Sequence, residues 1–122
     1  MAVTTDAQRK SLATAYGTAA PYGALFTSTG PGTTGAATNE VSGGTYARVA
    51  IVWGTATTVS STATITGNAV AYNVPASTTV TYWGCCVSST ATTADVRDSV
   101  AITSQLFSSA GTYTITPTYT QS

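Results

Sequence analysis

No histidine occurs in this chain of 122 residues, and acidic and basic side chains number only four each, for a formal net charge of zero. The first absence removes the commonest general base and the commonest metal ligand. The second leaves no basic cluster, so no nucleic-acid partner is expected. No run of about eighteen apolar residues exists, so no helical span and no membrane partner are expected. Leucine, isoleucine, valine and phenylalanine together number about twenty, below the roughly one fifth of residues at which disorder becomes a concern. High net charge, the other half of that signature, is missing.

What fills the chain is threonine, alanine, serine, glycine and valine. Threonine and valine are β-branched and favour strands, so the expected class is all-β. The length suits one domain with a single core. A core of small side chains gains little from apolar burial, and such a domain is expected to gain stability by docking. A nearly uncharged surface suits permanent packing in an assembly better than life as a free monomer.

Along the chain, Thr5 to Gln8 fits a capping box and predicts one helix through Tyr16, ended by Gly17. Leu12 and Tyr16 share a face at spacing i, i+4, with Ala15 beside them. This segment, residues 1–20, is read as a helical arm that either packs on its own sheet or reaches a neighbour. Residues 21–122 are read as an antiparallel β-sandwich of about six to eight short strands. Tyr22 to Thr27 opens it as a strand, and the Gly-rich and Pro-containing stretch Ser28 to Thr38 follows as a loop. Asn39 to Trp53 is expected to turn at Gly43 and Gly44 and then run as a long strand. Its faces are Ala47, Val49, Ile51 and Trp53 on one side and Tyr46, Arg48, Ala50 and Val52 on the other, both mostly apolar. Gly54 to Asn68 reads as a loop leading into a weak strand at Ala63 to Thr66. Val70, Tyr72 and Val74 alternate up to Pro75, and Val80, Tyr82 and Gly84 alternate with Thr81, Trp83 and Cys85. Ser88 to Asp98 reads as a surface loop or hairpin tip, Val100 and Ile102 as a short strand. Tyr113, Ile115, Pro117 and Tyr119 alternate with threonine as one half-buried strand that ends at a sheet edge.

The chemistry sought along this chain is mostly missing. Asp95 and Asp98 have Arg97 between them in a serine- and threonine-rich stretch, a pattern of solvated turns more than of calcium or acid catalysis. The glycine loop lacks the G-K-[ST] of a phosphate cradle. No catalytic residue, cofactor site or metal site is expected. Cys85 and Cys86 are adjacent and would face opposite sides of a strand, as reduced buried residues; a bridge to another subunit and a vicinal disulfide are the alternatives. Asn39, Glu40, Gly43, Gly44 and Arg48 form the expected structural turn, with Glu40 and Arg48 as its ion pair; alternatively Arg48 reaches a carboxylate on a partner. Leu12, Tyr16, Tyr22, Trp53 and Trp83 are candidate assembly contacts.

Three blocks carry a resemblance: P-G-T-T-G-A-A-T-N-E-V-S-G-G-T-Y-A-R at Pro31 to Arg48, V-P-A-S-T-T-V-T at Val74 to Thr81, and A-G-T-Y-T-I-T at Ala110 to Thr116. In these the chain resembles small virion proteins of tailed bacteriophages, especially those of actinobacteria, labelled tail fibre, minor tail or head decoration proteins. The resemblance runs in order over roughly residues 20 to 117. It departs after Gly84, where Cys85 and Cys86 stand in place of an aromatic pair. It implies an all-β structural protein without catalytic residues. The expected role is a minor capsid or decoration protein that forms a homo-oligomer, with a trimer as the candidate, and docks on the major capsid protein. The alternative is a minor tail or tail-fibre protein that touches the host surface, with Tyr22, Trp53, Trp83 or Tyr119 stacking on a sugar or receptor. Without a signal peptide after Arg9 and Lys10, synthesis in the host cytoplasm and residence in the virion are expected.

Overall fold

Thr5, in extended conformation, accepts a hydrogen bond from the Gln8 backbone N–H through its hydroxyl at 3.3 Å. That contact satisfies one of the donors a helix start leaves open. In the computed structural model, which describes residues 3–91 and 95–122, the helix so begun is α1, Asp6–Ala19. Asp6 in its first turn adds a favourable charge at the positive end of the helix dipole. Gly17 does not end the helix as expected; it lies two residues before its end, within the last turn, and is buried. A methyl group there would sit 2.9 Å from the Trp53 ring, so the missing side chain lets the helix press on that indole. The buried stripe is Arg9, Ala13 and Gly17, flanked by half-buried Leu12 and Tyr16, while Ala15 faces solvent. Of the two readings of this segment, packing on the chain's own sheet is the one observed.

Among the described residues nine strands follow: β1 Tyr22–Phe26, β2 Val49–Ala50, β3 Thr57–Val59, β4 Thr62–Thr66, β5 Val70–Val74, β6 Thr78–Cys86, β7 Val96–Phe107, β8 Gly111–Ile115 and β9 Thr118–Gln121. They form three antiparallel sheets, ordered β2-β1-β6-β7, β3-β4-β9 and β5-β8. The class is all-β with one helix, and the strand number is one above the upper expectation.

The long strand expected from Tyr46 to Trp53 is not formed. Only Val49 and Ala50 pair, at the outer edge of β1, and Trp53 makes a single bridge to Gly67. On the second face Tyr46 and Arg48 are enclosed but Ala50 and Val52 are exposed, Val52 at 70%, and Ala47 on the first face is exposed as well, so neither face is covered along its length. Apolar alternation misled here because small apolar residues tolerate water. The Arg48 side chain also ties the backbone before β2 to other segments, as described below.

The segment 54–62, expected as a loop, instead carries β3 and turns back at Ser60 and Ser61, both with positive φ of 49° and 63°. Consecutive positive φ angles match the twist of a two-residue hairpin turn, for which Asn-Gly is the usual signal. Serine hid it. The closing strand also divides: β8 pairs with β5, and beyond the buried Pro117 the chain moves to β4 as β9. Pro117 cannot donate to a ladder, and its carbonyl instead accepts from Gly67 N–H at 2.8 Å.

Across the main core, Val70, Tyr72, Val74, Tyr113 and Ile115 from the β5-β8 pair meet Leu25, Val80, Trp83, Cys85, Ile102 and Phe107 from the four-stranded sheet. The alternation of Val70, Tyr72 and Val74 is observed as read, each at most 1% exposed. The other face of the large sheet buries Ala24, Phe26, Cys86 and Val96. The glycine-rich stretch 28–38 covers that face: Pro31 is buried and Gly35 accepts from Val96 N–H through its carbonyl at 2.9 Å. It is a covering layer more than a free loop.

Candidate functional site

Two places gather polar side chains. The first is built on Arg48, whose side chain is 2% exposed. Nε and Nη2 donate to the two oxygens of Glu40 at 2.9 and 2.8 Å, a bidentate fork. Nη1 donates to Asp95 Oδ2 at 2.5 Å and to the Ser88 carbonyl at 3.0 Å. Ser88 Oγ donates to the same Asp95 oxygen at 2.9 Å. Tyr46 Oη donates to Glu40 Oε2 at 3.0 Å and accepts from the Leu25 N–H of β1 at 3.0 Å. Hydrogen bonds from Glu40, above all, hold the Arg48 guanidinium in its charged form. Burial, with the Glu40 charge adding to it, keeps the Tyr46 hydroxyl protonated against the opposing Leu25 bond.

The backbone around Glu40 is fixed just as firmly. Thr27 N–H donates to the Asn39 carbonyl at 2.8 Å, and Val41 N–H to the Leu25 carbonyl at 3.0 Å. Asn39 adopts φ of 63°, which asparagine tolerates, and its side-chain amide donates to the Gly30 carbonyl at 2.9 Å. Gly43 and Gly44 take φ of 100° and 57° to reverse the chain, and Tyr46 N–H returns to the Gly43 carbonyl at 3.2 Å. Arg48 thus ties together the chain after β1, the approach to β2 and the β6–β7 connection.

The ion pair between Glu40 and Arg48 stands where the charges suggested. Asp95 is a correction: it is 4% exposed and bonded to Arg48, not part of a solvated turn. Its partner lies 47 positions earlier, and no local pattern in a chain signals a pairing at that range. The carboxylate beyond Glu40 that Arg48 reaches belongs to its own chain. With all three nitrogens bonded within the chain and the side chain 2% exposed, Arg48 is closed to an outside anion, so the cluster's chemistry is structural.

The second place is a cleft of about 220 Å³ where α1, β7 and β9 meet, lined by Tyr16, Trp83, Asp98, Val100, Thr118 and Tyr119, among others. Tyr16 stacks on Tyr119 at 3.7 Å between ring centroids and meets Trp53 edge-on at 6.1 Å. Its hydroxyl donates to Asp98 Oδ2 at 2.8 Å and lies 3.2 Å from Cys85 Sγ. Burial, first of all, keeps that hydroxyl protonated. Asp98 is therefore separated from Asp95, with which the sequence grouped it. Val100 and Thr118 carried no sequence signal for a site, and Asp98 was grouped only with Asp95, because only pairing of distant strands brings them beside Tyr16.

The expected assembly contacts are largely engaged within the chain. Trp83 is 6% exposed and its indole N–H donates to Tyr72 Oη at 3.0 Å. The Trp53 indole N–H donates to the Ala20 carbonyl at 3.1 Å. Tyr22 and Leu12 are half-buried. Cys85 and Cys86 are free thiols, fully buried, and they enter different cores on opposite faces of β6. Burial, above all, pushes the Cys86 thiol up to about 12. Among the described residues no cluster of cysteine, aspartate and glutamate has the makings of a metal site, and no helix is long and apolar enough to cross a membrane. Comparison with protein families, curated proteins and solved structures finds no match to this chain.

Proposed function

We propose that the chain is a structural protein of a tailed-phage particle, a minor capsid or decoration protein whose sheets form an antiparallel β-sandwich docked on the shell. The supporting observation is the Arg48 cluster. The residues that carry the strongest block of the resemblance, Asn39 to Arg48, are consumed in bonds that hold the chain's own segments together. A motif whose residues serve the architecture fits a protein whose task is to hold a shape. The surface supports the same role: Val52, Val59, Val100 and Leu106 are between 55% and 74% exposed in a chain with eight charged side chains, an exterior suited to lasting contact. On this reading a homo-oligomer, with a trimer as the candidate, contacts the major capsid protein. Mixing the purified protein with empty shells and sedimenting them tests it. Co-sedimentation that saturates at a fixed ratio is expected; a protein that stays in the supernatant with shells and instead binds host cells contradicts it.

A further inference from the structure

One edge of the four-stranded sheet is closed along the start of β7 and open along the rest. β7 is the outermost strand there and its one ladder partner is β6. At its start the chain covers the free side itself: Val96 N–H donates to the Gly35 carbonyl at 2.9 Å, and Ser99 N–H to Asp98 Oδ1 at 2.9 Å. From Val100 to Phe107, among the described residues, no other segment bonds to that side. The open stretch reads V-A-I-T-S-Q-L-F. It carries neither charge nor proline, which commonly blunt an exposed edge. Val100 and Leu106 on it are 55% and 65% exposed. An open edge presents unmet backbone donors and acceptors, so what completes it is another strand.

The stretch is complementary to itself. Residues opposite each other in an antiparallel pair share a face. Val100 stands opposite Trp83 and Gln105 opposite Val80, and both of those partners enter the main core. Val100 and Gln105 therefore face inward, as do Ile102 and Phe107, which pack on the same core. Ala101, opposite Tyr82, and Leu106, opposite Thr79, face outward. The inward residues step by two and then by three between Ile102 and Gln105, within the span where the ladder to β6 shifts register. A partner strand of unbroken alternation would match one half of this edge and miss the other. A second β7, antiparallel about an axis between Thr103 and Ser104, matches both: Val100 opposes Phe107, Ala101 opposes Leu106 and Ile102 opposes Gln105, each twice. Arg97 and Asp98 of each copy then fall past the other's Phe107, and a chain of zero net charge does not repel its copy at a distance. We infer that β7 pairs with β7 of a second copy in this register, joining two four-stranded sheets into one. The contact deepens the homo-oligomer of the structural role above and rests on that role only in this respect. Being two-fold, it makes a dimer, and a trimer would need a further contact.

The test uses the free chain without shells, so a monomer in solution would sink the pairing and leave binding to shells to be judged separately. Sedimentation velocity is expected to show dimers that dissociate on dilution, with hydrogen exchange from Ala101 to Leu106 slowing as concentration rises. Two exposed positions that the pairing sets opposite each other report the register. Ala101→Lys with Leu106→Glu places opposite charges across the axis and is expected to keep the dimer. Ala101→Lys with Leu106→Lys places like charges there and is expected to dimerise at least about tenfold more weakly. Val52→Lys with Val59→Lys, at exposed positions outside β7, adds the same net charge and is expected to dimerise as the parent does. If a β7 variant does not fold, the exchange of the parent's Ala101 to Leu106 amides decides. A parent that stays monomeric, exchange there that ignores concentration, equal dimerisation of the two β7 variants, or an equal loss in the Val52 and Val59 variant overturns the proposal.

Discussion

Arg48 neutralises two carboxylates that the fold has taken out of water, so deleting it strands charge as well as removing bonds. Breaking a buried pair from one side costs about 3–5 kcal/mol, a large share of the roughly 5–15 kcal/mol that holds a domain together. Arg48→Ala is therefore expected to leave the chain largely unfolded or to lower its urea midpoint steeply. Arg48→Lys, which keeps the charge but loses the fork to Glu40, should fall between that variant and the parent. An Arg48→Ala protein within about 1 kcal/mol of the parent would show the cluster to be dispensable. The same scale sets an alkaline limit. Cys86 keeps its proton up to about 12 in the folded chain, whereas an exposed thiol releases it near 8.5. The unfolded state then binds fewer protons, so stability is complete below the ordinary thiol range and declines as pH rises toward 12. Tyr16, Tyr46 and Tyr72 are raised in the same direction, burial being the first cause of each. Cys86→Ala is thus expected to flatten part of the alkaline decline in denaturant midpoints, not all of it. Glu40 and Arg48 were legible as a pair because charges are so scarce; Asp95 was not, since its role depends on where β6 and β7 leave the chain.

Among the elements, the legible ones were those whose burial follows sequence period over their whole length. β5 alternates Val70, Tyr72 and Val74 into the core, and α1 carries its cap in plain view at Thr5. Where the period broke with the physics, small side chains were responsible. The run from Tyr46 to Trp53 alternates as a strand should, yet alanines and valines gain too little from burial to enforce pairing. Tyr113 to Tyr119 alternates without a break, yet Pro117 divides it between two sheets. Gly17 read as a stop because a glycine near a helix end usually is one; the Trp53 ring against it was invisible in one dimension. Gly17→Ala gains about 1 kcal/mol of helix propensity but drives a methyl group into that indole. Overpacking costs about 1–3 kcal/mol, so thermal unfolding is expected to shift downward; a rise in Tm would mean that the helix lifts freely. Ser60 and Ser61 pose the opposite case. Each is held in a left-handed conformation that costs a residue with a side chain on the order of 1 kcal/mol. Ser60→Asn with Ser61→Gly should raise Tm by relieving it, and a fall would show that the serines do more than turn the chain.

At the scale of the whole molecule, composition alone indicated an all-β domain with a thin core, and it could do so because β-branched residues and scarce large side chains are counted without regard to order. Strand pairing was out of reach, since three sheets, two of which the chain passes between at Gly67 and Pro117, depend on contacts between distant segments. The cleft beside Tyr16 was hidden for the same reason. The largest claim, that this domain is built into the shell of a tailed-phage particle, rests on a motif whose residues serve the fold and on an exterior with few charges. Separating heads from tails in purified particles and counting the copies of this chain in each fraction by quantitative mass spectrometry tests that claim most directly. The account predicts a fixed copy number on heads and none on tails. Copies confined to tails, or absent from both fractions, would contradict it.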